Sequence, residues 1–306
     1  MRAPTFTVGL VQMACSDDQA DNLDRASALT RQAVKAGAEI VCLQELFSLR
    51  YFCQREDVQC FELAESIPGP TSELFVDLAK QLECVLVVPI FERRAPGLYH
   101  NTVVVIDADG ALLGSYRKTH VPDDPLYQEK FYFAPGDLGY PVFATRFARI
   151  GPLICWDQWF PEAARLSTLR GAELLVYPSA IGWHPAERAT EGDTQHDAWR
   201  TVQRGHAISN GVFVASVNRV GHEGPDSEGI DFWGQSFVCD PAGRLLATGS
   251  PDQEEVLLAT CDRRAIEKQR NGWPFLRDRR IDTYSGLTAK LLESPHDVSA
   301  ESDGTK

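Results

Sequence analysis

Apolar positions along this chain follow two alternating periods. Short aliphatic and β-branched runs predict strands at Phe6–Gln12, Glu39–Leu43, Val85–Phe91, Asn101–Asp107 and Leu112–Arg117. The same pattern returns at Val142–Thr145, Ala148–Ile154, Leu174–Tyr177, Phe213–Asn218, Gly234–Cys239, Leu245–Thr248 and Glu255–Thr260. Between these runs apolar residues recur at helical spacing, as at Leu23, Ala26, Leu29 and Ala33. They predict helices at Asp21–Ala36, Thr71–Leu82, Pro161–Arg170, Thr194–Asn210 and Arg263–Asn271. Residues His120–Gly139 read as one long polar and aromatic loop. Two halves, each rich in strands and helices, suggest two sheets face to face with helices outside. Periodicity alone goes no further than an α/β protein.

Three of the predicted strands end on residues with chemical potential. Ala38–Leu43 runs into Gln44-Glu45-Leu46-Phe47, and Ala111–Tyr116 into Arg117-Lys118-Thr119-His120. The run up to Ile154 stops at Cys155, and Pro161 then opens a helix. A strand that stops at a nucleophile and turns into a helix holds the side chain out of the backbone, near amides that can bind an oxyanion. Singly, each residue has a plainer explanation: a buried cysteine is a small hydrophobe, and a charge past a strand is a solvated surface group. Together, a Glu, a Lys and a Cys at the carboxyl ends of strands point to ligand chemistry at that sheet edge.

These segments, with Cys155-Trp156-Asp157-Gln158-Trp159-Phe160-Pro161-Glu162, resemble the Glu, Lys and Cys motifs of the nitrilase (carbon–nitrogen hydrolase) superfamily. The resemblance runs from about Thr5 to Tyr284. Tyr51-Phe52-Cys53-Gln54, Tyr127 to Phe133 and Trp156 to Trp159 resemble the branch that hydrolyses N-carbamoylputrescine. The resemblance implies a four-layer αββα sandwich. It implies Cys155 as nucleophile, Glu45 as base, Lys118 as oxyanion partner together with the backbone amide of Trp156, and Glu129 as a second glutamate orienting the lysine. The expected reaction passes through a thioester and releases putrescine, ammonia and CO2.

Substrate choice is read from the residues after the nucleophile. Relatives that hydrolyse carbamoyl amino acids carry arginines there to grip a carboxylate. Here Trp156, Asp157, Gln158 and Trp159 offer no such fork, which suits an amine-bearing substrate better. Two departures from the branch stand out. Trp183-His184 replaces a Ser-Glu, and Pro122-Asp123-Asp124-Pro125 replaces a glycine-rich loop, so Asp123, Asp124 or Glu187 would have to receive the far ammonium. Tyr51, Asp124, Trp156, His184 and Glu187 form the expected substrate pocket. An ω-amidase, a β-ureidopropionase, another carbamoyl-amine hydrolase and a non-catalytic scaffold or redox protein are the alternative readings.

Composition narrows the rest. The chain has 306 residues, 43% hydrophobic and 24% charged, with no linker-like composition before about residue 288. One domain is expected over residues 1–290, with an interface arm at 271–290 rich in aromatics and arginines, and a disordered tail at 291–306. The formal net charge of −13 argues against nucleic-acid and anionic-membrane partners. Eight cysteines without a close C-x-x-C pair point to a reducing, cytoplasmic setting. The seven histidines contain no His-Glu-x-x-His pair, and no glycine loop fits a phosphate, so neither metal nor cofactor is expected. The expected partners are a small carbamoyl-amine or amide and further copies of the chain, as a homodimer or larger homo-oligomer.

Overall fold

The computed structural model describes residues 3–225 and 228–292. The first half contains β1 (Thr5–Gln12), α1 (Gln19–Lys35), β2 (Ile40–Leu43), α2 (Pro70–Leu82), β3 (Val85–Ala95), β4 (Leu98–Ile106) and β5 (Leu112–Arg117). A short helical turn, α3 (Glu129–Tyr132), crosses to the second half. There β6 (Phe143–Ala144), β7 (Arg149–Pro152), α4 (Pro161–Leu169), β8 (Leu174–Pro178), β9 (Gly182–Trp183), α5 (Arg188–Asn210) and β10 (Phe213–Val217) follow. The chain continues through β11 (Val220–Glu223), β12 (Ile230–Trp233), β13 (Phe237–Cys239), β14 (Leu245–Thr248), β15 (Glu255–Asp262) and α6 (Arg264–Gly272).

Two six-stranded sheets result, ordered β15-β1-β2-β3-β4-β5 and β14-β13-β10-β8-β7-β6, beside a small β11-β12-β9 sheet. Alternation along the strands sorts the side chains into layers. Phe6, Val8, Leu10, Ile40, Cys42, Val85, Val87, Val103 and Val105 face the second sheet and pack with Leu174, Val176, Val214 and Phe237. Their neighbours Val11, Val41, Leu43, Leu86, Val88, Val104 and Ile106 face outward, onto Ala26 and Ala33 of α1 and Phe75 and Leu78 of α2. Ala163 and Ala164 of α4 and Trp199 and Ala207 of α5 cover the other sheet. The layers are therefore helix, sheet, sheet, helix, the αββα sandwich expected from the resemblance.

Strand direction decides what gathers at one edge. β1, β2 and β3 are parallel, while β4 runs against β3 and β5 against β4. The carboxyl ends of β2 and β5 therefore meet the amino-terminal part of β4. In the second sheet β7, β8 and β10 are parallel, so their carboxyl ends also lie together.

Several boundaries differ from the sequence expectation. α5 begins at Arg188, six residues before the expected start, because its first turns are polar and carry no apolar stripe. β7 ends at Pro152, and Cys155–Trp159 is a tight 3₁₀ turn rather than the end of a strand. The β11–β12 hairpin and β9 were not expected; their strands have four residues or fewer, too short for a period to register. α3 interrupts the expected loop. The expected arm is described as two short 3₁₀ turns, Ile281–Thr283 and Ser285–Thr288, with Trp273, Ile281 and Leu287 exposed. Of the expected tail, residues 293–306 lie outside the described residues. No helix among the described residues is long and apolar enough to cross a membrane.

Candidate active site

Cys155 sits at a forced corner. Its φ of 41° places it in the left-handed region, which a non-glycine residue occupies only when its surroundings hold it there. Asp157 supplies the restraint. Its Oδ2 accepts the Ile154 amide at 2.9 Å and the Tyr116 hydroxyl at 2.7 Å. Its Oδ1 accepts the His120 amide at 3.0 Å and lies 2.7 Å from His120 Nδ1. The His120 ring stacks on Phe160 at 3.6 Å. Asp157 thereby ties the turn carrying the thiol to the strand end carrying Lys118. Pro161 then starts α4 at the position where a missing N–H costs nothing.

Lys118 is enclosed by carboxylates. Its Nζ donates to Glu45 Oε1 at 2.8 Å and to the two oxygens of Glu129 at 2.8 and 2.6 Å. Asn101, on β4, donates its side-chain amide to the same Glu45 Oε1 at 2.7 Å, while its backbone carbonyl accepts the Lys118 backbone N–H at 2.8 Å. Glu45 Oε2 is buried and has no hydrogen-bond partner among the described residues. Glu129 is held from behind by the Tyr51 hydroxyl at 2.6 Å. The strand geometry explains the meeting: Glu45 follows β2, Lys118 follows β5, and Asn101 sits near the start of the intervening antiparallel strand.

The charges act on one another because water is excluded. Burial pushes the Cys155 thiol well above its ordinary range, and Glu45 adds to that; Lys118 and a backbone hydrogen bond from Ala180, past the end of β8, pull the other way. Burial works against the Lys118 ammonium, but Glu129 and Glu45 together hold it well above the usual lysine range. Burial raises Glu129 to about 7 against the pull of Lys118. The resting site is therefore a neutral thiol beside an ammonium, and the thiol needs a base to become nucleophilic.

Cys155 and Glu129 line a cavity of about 580 Å³. Asp124, Tyr127, Trp156, Trp159, His184 and Glu187 also form part of its wall. Among the described residues, no lysine or arginine lines it. Glu187 Oε2 accepts from the Gln195 side chain at 2.8 Å, and His184 Nδ1 accepts the Ala186 amide at 3.1 Å. Gly182 is required where this wall meets β12, since a Cβ there would lie 2.3 Å from the Asp231 carbonyl oxygen.

Four of the five expected pocket residues line this cavity: Asp124, Trp156, His184 and Glu187. Tyr51 does not. It is fully buried behind Glu129, where its hydroxyl is occupied. Asp157, expected to favour an amine, is likewise turned inward and saturated by the turn it braces. His120 partners Asp157 through both its backbone amide and its ring. Sequence reasoning missed Asn101, Ala180 and Arg219. A signal existed for two of them: Asn101 is a polar residue opening an apolar strand, and Arg219 directly follows one.

Residues 7–271 match the model of the carbon–nitrogen hydrolase family. With an αββα sandwich and this Glu, Lys and Cys arrangement, the chain belongs to that family, the nitrilase superfamily, and is a carbon–nitrogen hydrolase. It is 46% identical over 286 residues to an N-carbamoylputrescine amidase of Solanum lycopersicum, covering 92% of this chain and 94% of that protein. It is 40% identical to a citrullinase of Francisella tularensis subsp. tularensis, covering 92% of this chain and 98% of the other. The crystal structure of a carbon–nitrogen hydrolase from Helicobacter pylori G27 superposes with a TM-score of 0.91 at 44% identity, covering 94% of this chain and 100% of that one.

Proposed function

We propose that the protein hydrolyses the ureido group of N-carbamoylputrescine or a closely similar carbamoyl-amine. One observation carries this reading. The cavity that contains Cys155 is also lined by Asp124 and Glu187 and, among the described residues, by no fixed cation, so it favours a neutral ureido head on a cationic amine tail. The tryptophans Trp156 and Trp159 supply apolar and cation–π surface for the chain between.

In the proposed mechanism Glu45 Oε2 takes the Cys155 proton as the sulfur attacks the ureido carbon. The carbonyl oxygen becomes an oxyanion beside the Lys118 ammonium and the Trp156 amide. The tetrahedral intermediate collapses, the terminal nitrogen leaves as ammonia with the proton from Glu45, and a carbamoyl thioester remains on Cys155. Glu45 then takes a proton from water as the hydroxide adds to the thioester carbon. Collapse returns the thiol and releases a carbamic acid, which loses CO2 to give putrescine. Glu129 keeps Lys118 charged and fixed.

The similarity to a citrullinase supports a second reading, a ureido amino acid whose tail bears both an ammonium and a carboxylate. With Nδ1 accepting the Ala186 amide, His184 carries its N–H on Nε2, a donor in the described cavity wall for that carboxylate. Ammonia release from N-carbamoylputrescine and from citrulline, compared as kcat/KM, separates the two readings. A preference for citrulline of about tenfold or more, equivalent to about 1.4 kcal/mol, would remove the first.

We also propose that residues 271–290 serve as an interface arm between copies of the chain, within a single hydrolase domain over residues 1–290. The exposed Trp273, Ile281 and Leu287 on that arm support this.

A further inference from the structure

Arg219 is among the largest fully buried side chains of the protein, yet it carries a charge and lies outside the reacting quartet. Its Nη2 donates to the backbone carbonyls of Glu45 and Leu46, each at 2.9 Å. Its Nη1 donates to the Leu49 carbonyl at 3.0 Å and to Glu223 Oε1 at 2.6 Å. The segment it grips leaves β2 without regular structure, and Leu46 is held at φ 49°. Carbonyls in such a buried turn need donors, and only a guanidinium presents several in one rigid plane. Glu223 balances the charge and also reaches Tyr51, whose amide its Oε2 accepts at 2.6 Å.

The bonds close on themselves. Arg219 holds the backbone of Glu45, and the Glu45 carboxylate meets Lys118. Lys118 meets Glu129, Glu129 meets the Tyr51 hydroxyl, the Tyr51 amide meets Glu223, and Glu223 returns to Arg219. Both carboxylates that flank the lysine are therefore anchored to one buried ion pair from the far side.

We propose that Arg219 and Glu223 are positioning residues for the hydrolysis: this pair fixes the turn that aims Glu45 and, through Tyr51, the placement of Glu129 around Lys118. The inference rests on Glu45 being the base of the proposed mechanism. A shift of about 1 Å in a catalytic group can cost on the order of a hundredfold in rate. Neither residue lines the cavity, so loss of the pair acts on turnover rather than on substrate binding.

The test uses the full chain with N-carbamoylputrescine as substrate. Glu223→Gln keeps the shape but removes the charge and leaves one acceptor where two are needed. Arg219→Lys keeps the charge but loses the planar fork. Each is compared with Glu45→Gln for kcat, KM, the rate of Cys155 alkylation by iodoacetamide, and the thermal midpoint. The expected result for Glu223→Gln is a kcat lower by about ten- to a hundredfold with KM within about threefold, and alkylation slowed in proportion. Glu223→Asp, which keeps charge but shortens the reach to Tyr51, should fall between it and the wild type; it is read in the same way if either other variant fails to fold. A folded variant with kcat and alkylation within about twofold of wild type overturns the proposal. If instead Glu45→Gln itself retains full activity, the base assignment falls, and the positioning role falls with it.

Discussion

Lys118 and Asn101 both donate to the same oxygen of Glu45, at 2.8 and 2.7 Å, and leave the other oxygen without a partner among the described residues. A carboxylate bound on one side only is both oriented and reactive. Its fixed oxygen sets the plane of the group, and its free oxygen keeps a lone pair for a proton. Removing the Asn101 amide should loosen that plane without touching the cavity wall. Asn101→Ala is expected to lower kcat by about ten- to a hundredfold, the worth of one hydrogen bond to a charged group, with KM little changed. Steady-state ammonia release measures both.

Cys155→Ala should abolish turnover, by about 10⁴-fold or more, while the protein keeps its fold and assembly. Mass spectrometry of wild-type protein inactivated by iodoacetamide should place the adduct on Cys155. All eight cysteines are free thiols, so the experiment has real competitors. An adduct elsewhere at the point of complete inactivation would contradict the assignment.

The pH profile should report Glu129. Its folded value of about 7 means that the carboxylate form, which holds Lys118, is lost as pH falls through neutrality. Activity as kcat/KM is therefore expected to fall on the acid side of about pH 7. Stability moves the opposite way. The native state holds this proton more tightly than the unfolded chain, whose value is near 4.5. The contribution of Glu129 is thus most favourable below that value and is lost as pH rises to about 7. Glu129→Gln should be weakly active and should lack both trends in paired activity and denaturation series.

Asp124→Asn and Glu187→Gln should weaken the grip on a cationic tail. Each is expected to raise KM for N-carbamoylputrescine by about three- to tenfold, in the range of a partly exposed ion pair. Butylurea, which has the same head and no charge, should be unaffected. Equal effects on the two substrates would show that these residues shape the cavity without recognising charge.

Truncation after Asn271 should shift the protein toward smaller species in sedimentation velocity and lower its thermal midpoint. It removes Trp273, Phe275, Ile281 and Leu287, all of them exposed on the single chain. A full-length protein that sediments as a monomer at micromolar concentration and is fully active would defeat the interface reading.

What could be read beforehand followed from how local its cause was. Glu45, Lys118 and Cys155 each announce themselves by ending an apolar run, and the sheets follow from short, unbroken β-branched and aliphatic runs such as Val85–Val88 and Val103–Ile106, which are buried on both faces. Arg219 and Tyr51 act through partners more than seventy residues away, as the Tyr51–Glu129 and Arg219–Glu45 bonds show, and no window along the chain contains both ends. Asp157 was misjudged for a related reason. Its neighbours Trp156 and Trp159 face the cavity, but a 3₁₀ turn rotates each residue by about a third of a circle, and Asp157 faces the core instead.

Of the residues proposed for chemistry, Glu45 and Lys118 follow strand ends, Cys155 opens the 3₁₀ turn after β7 and Glu129 sits on α3, all tied together from beneath, whereas Asp124, His184 and Glu187 belong to the connections at 122–127 and 181–187. Those connections share few bonds with the quartet, the Tyr127 carbonyl accepting the Glu129 amide at 2.8 Å among them, and the Tyr127 hydroxyl, which accepts the Gly182 amide at 3.0 Å, joins the two to each other. A library confined to positions 124, 184 and 187 could therefore explore new amide and urea tails while every variant inherits the same hydrolytic engine. In a screen, inactive members would report poor recognition far more often than broken catalysis.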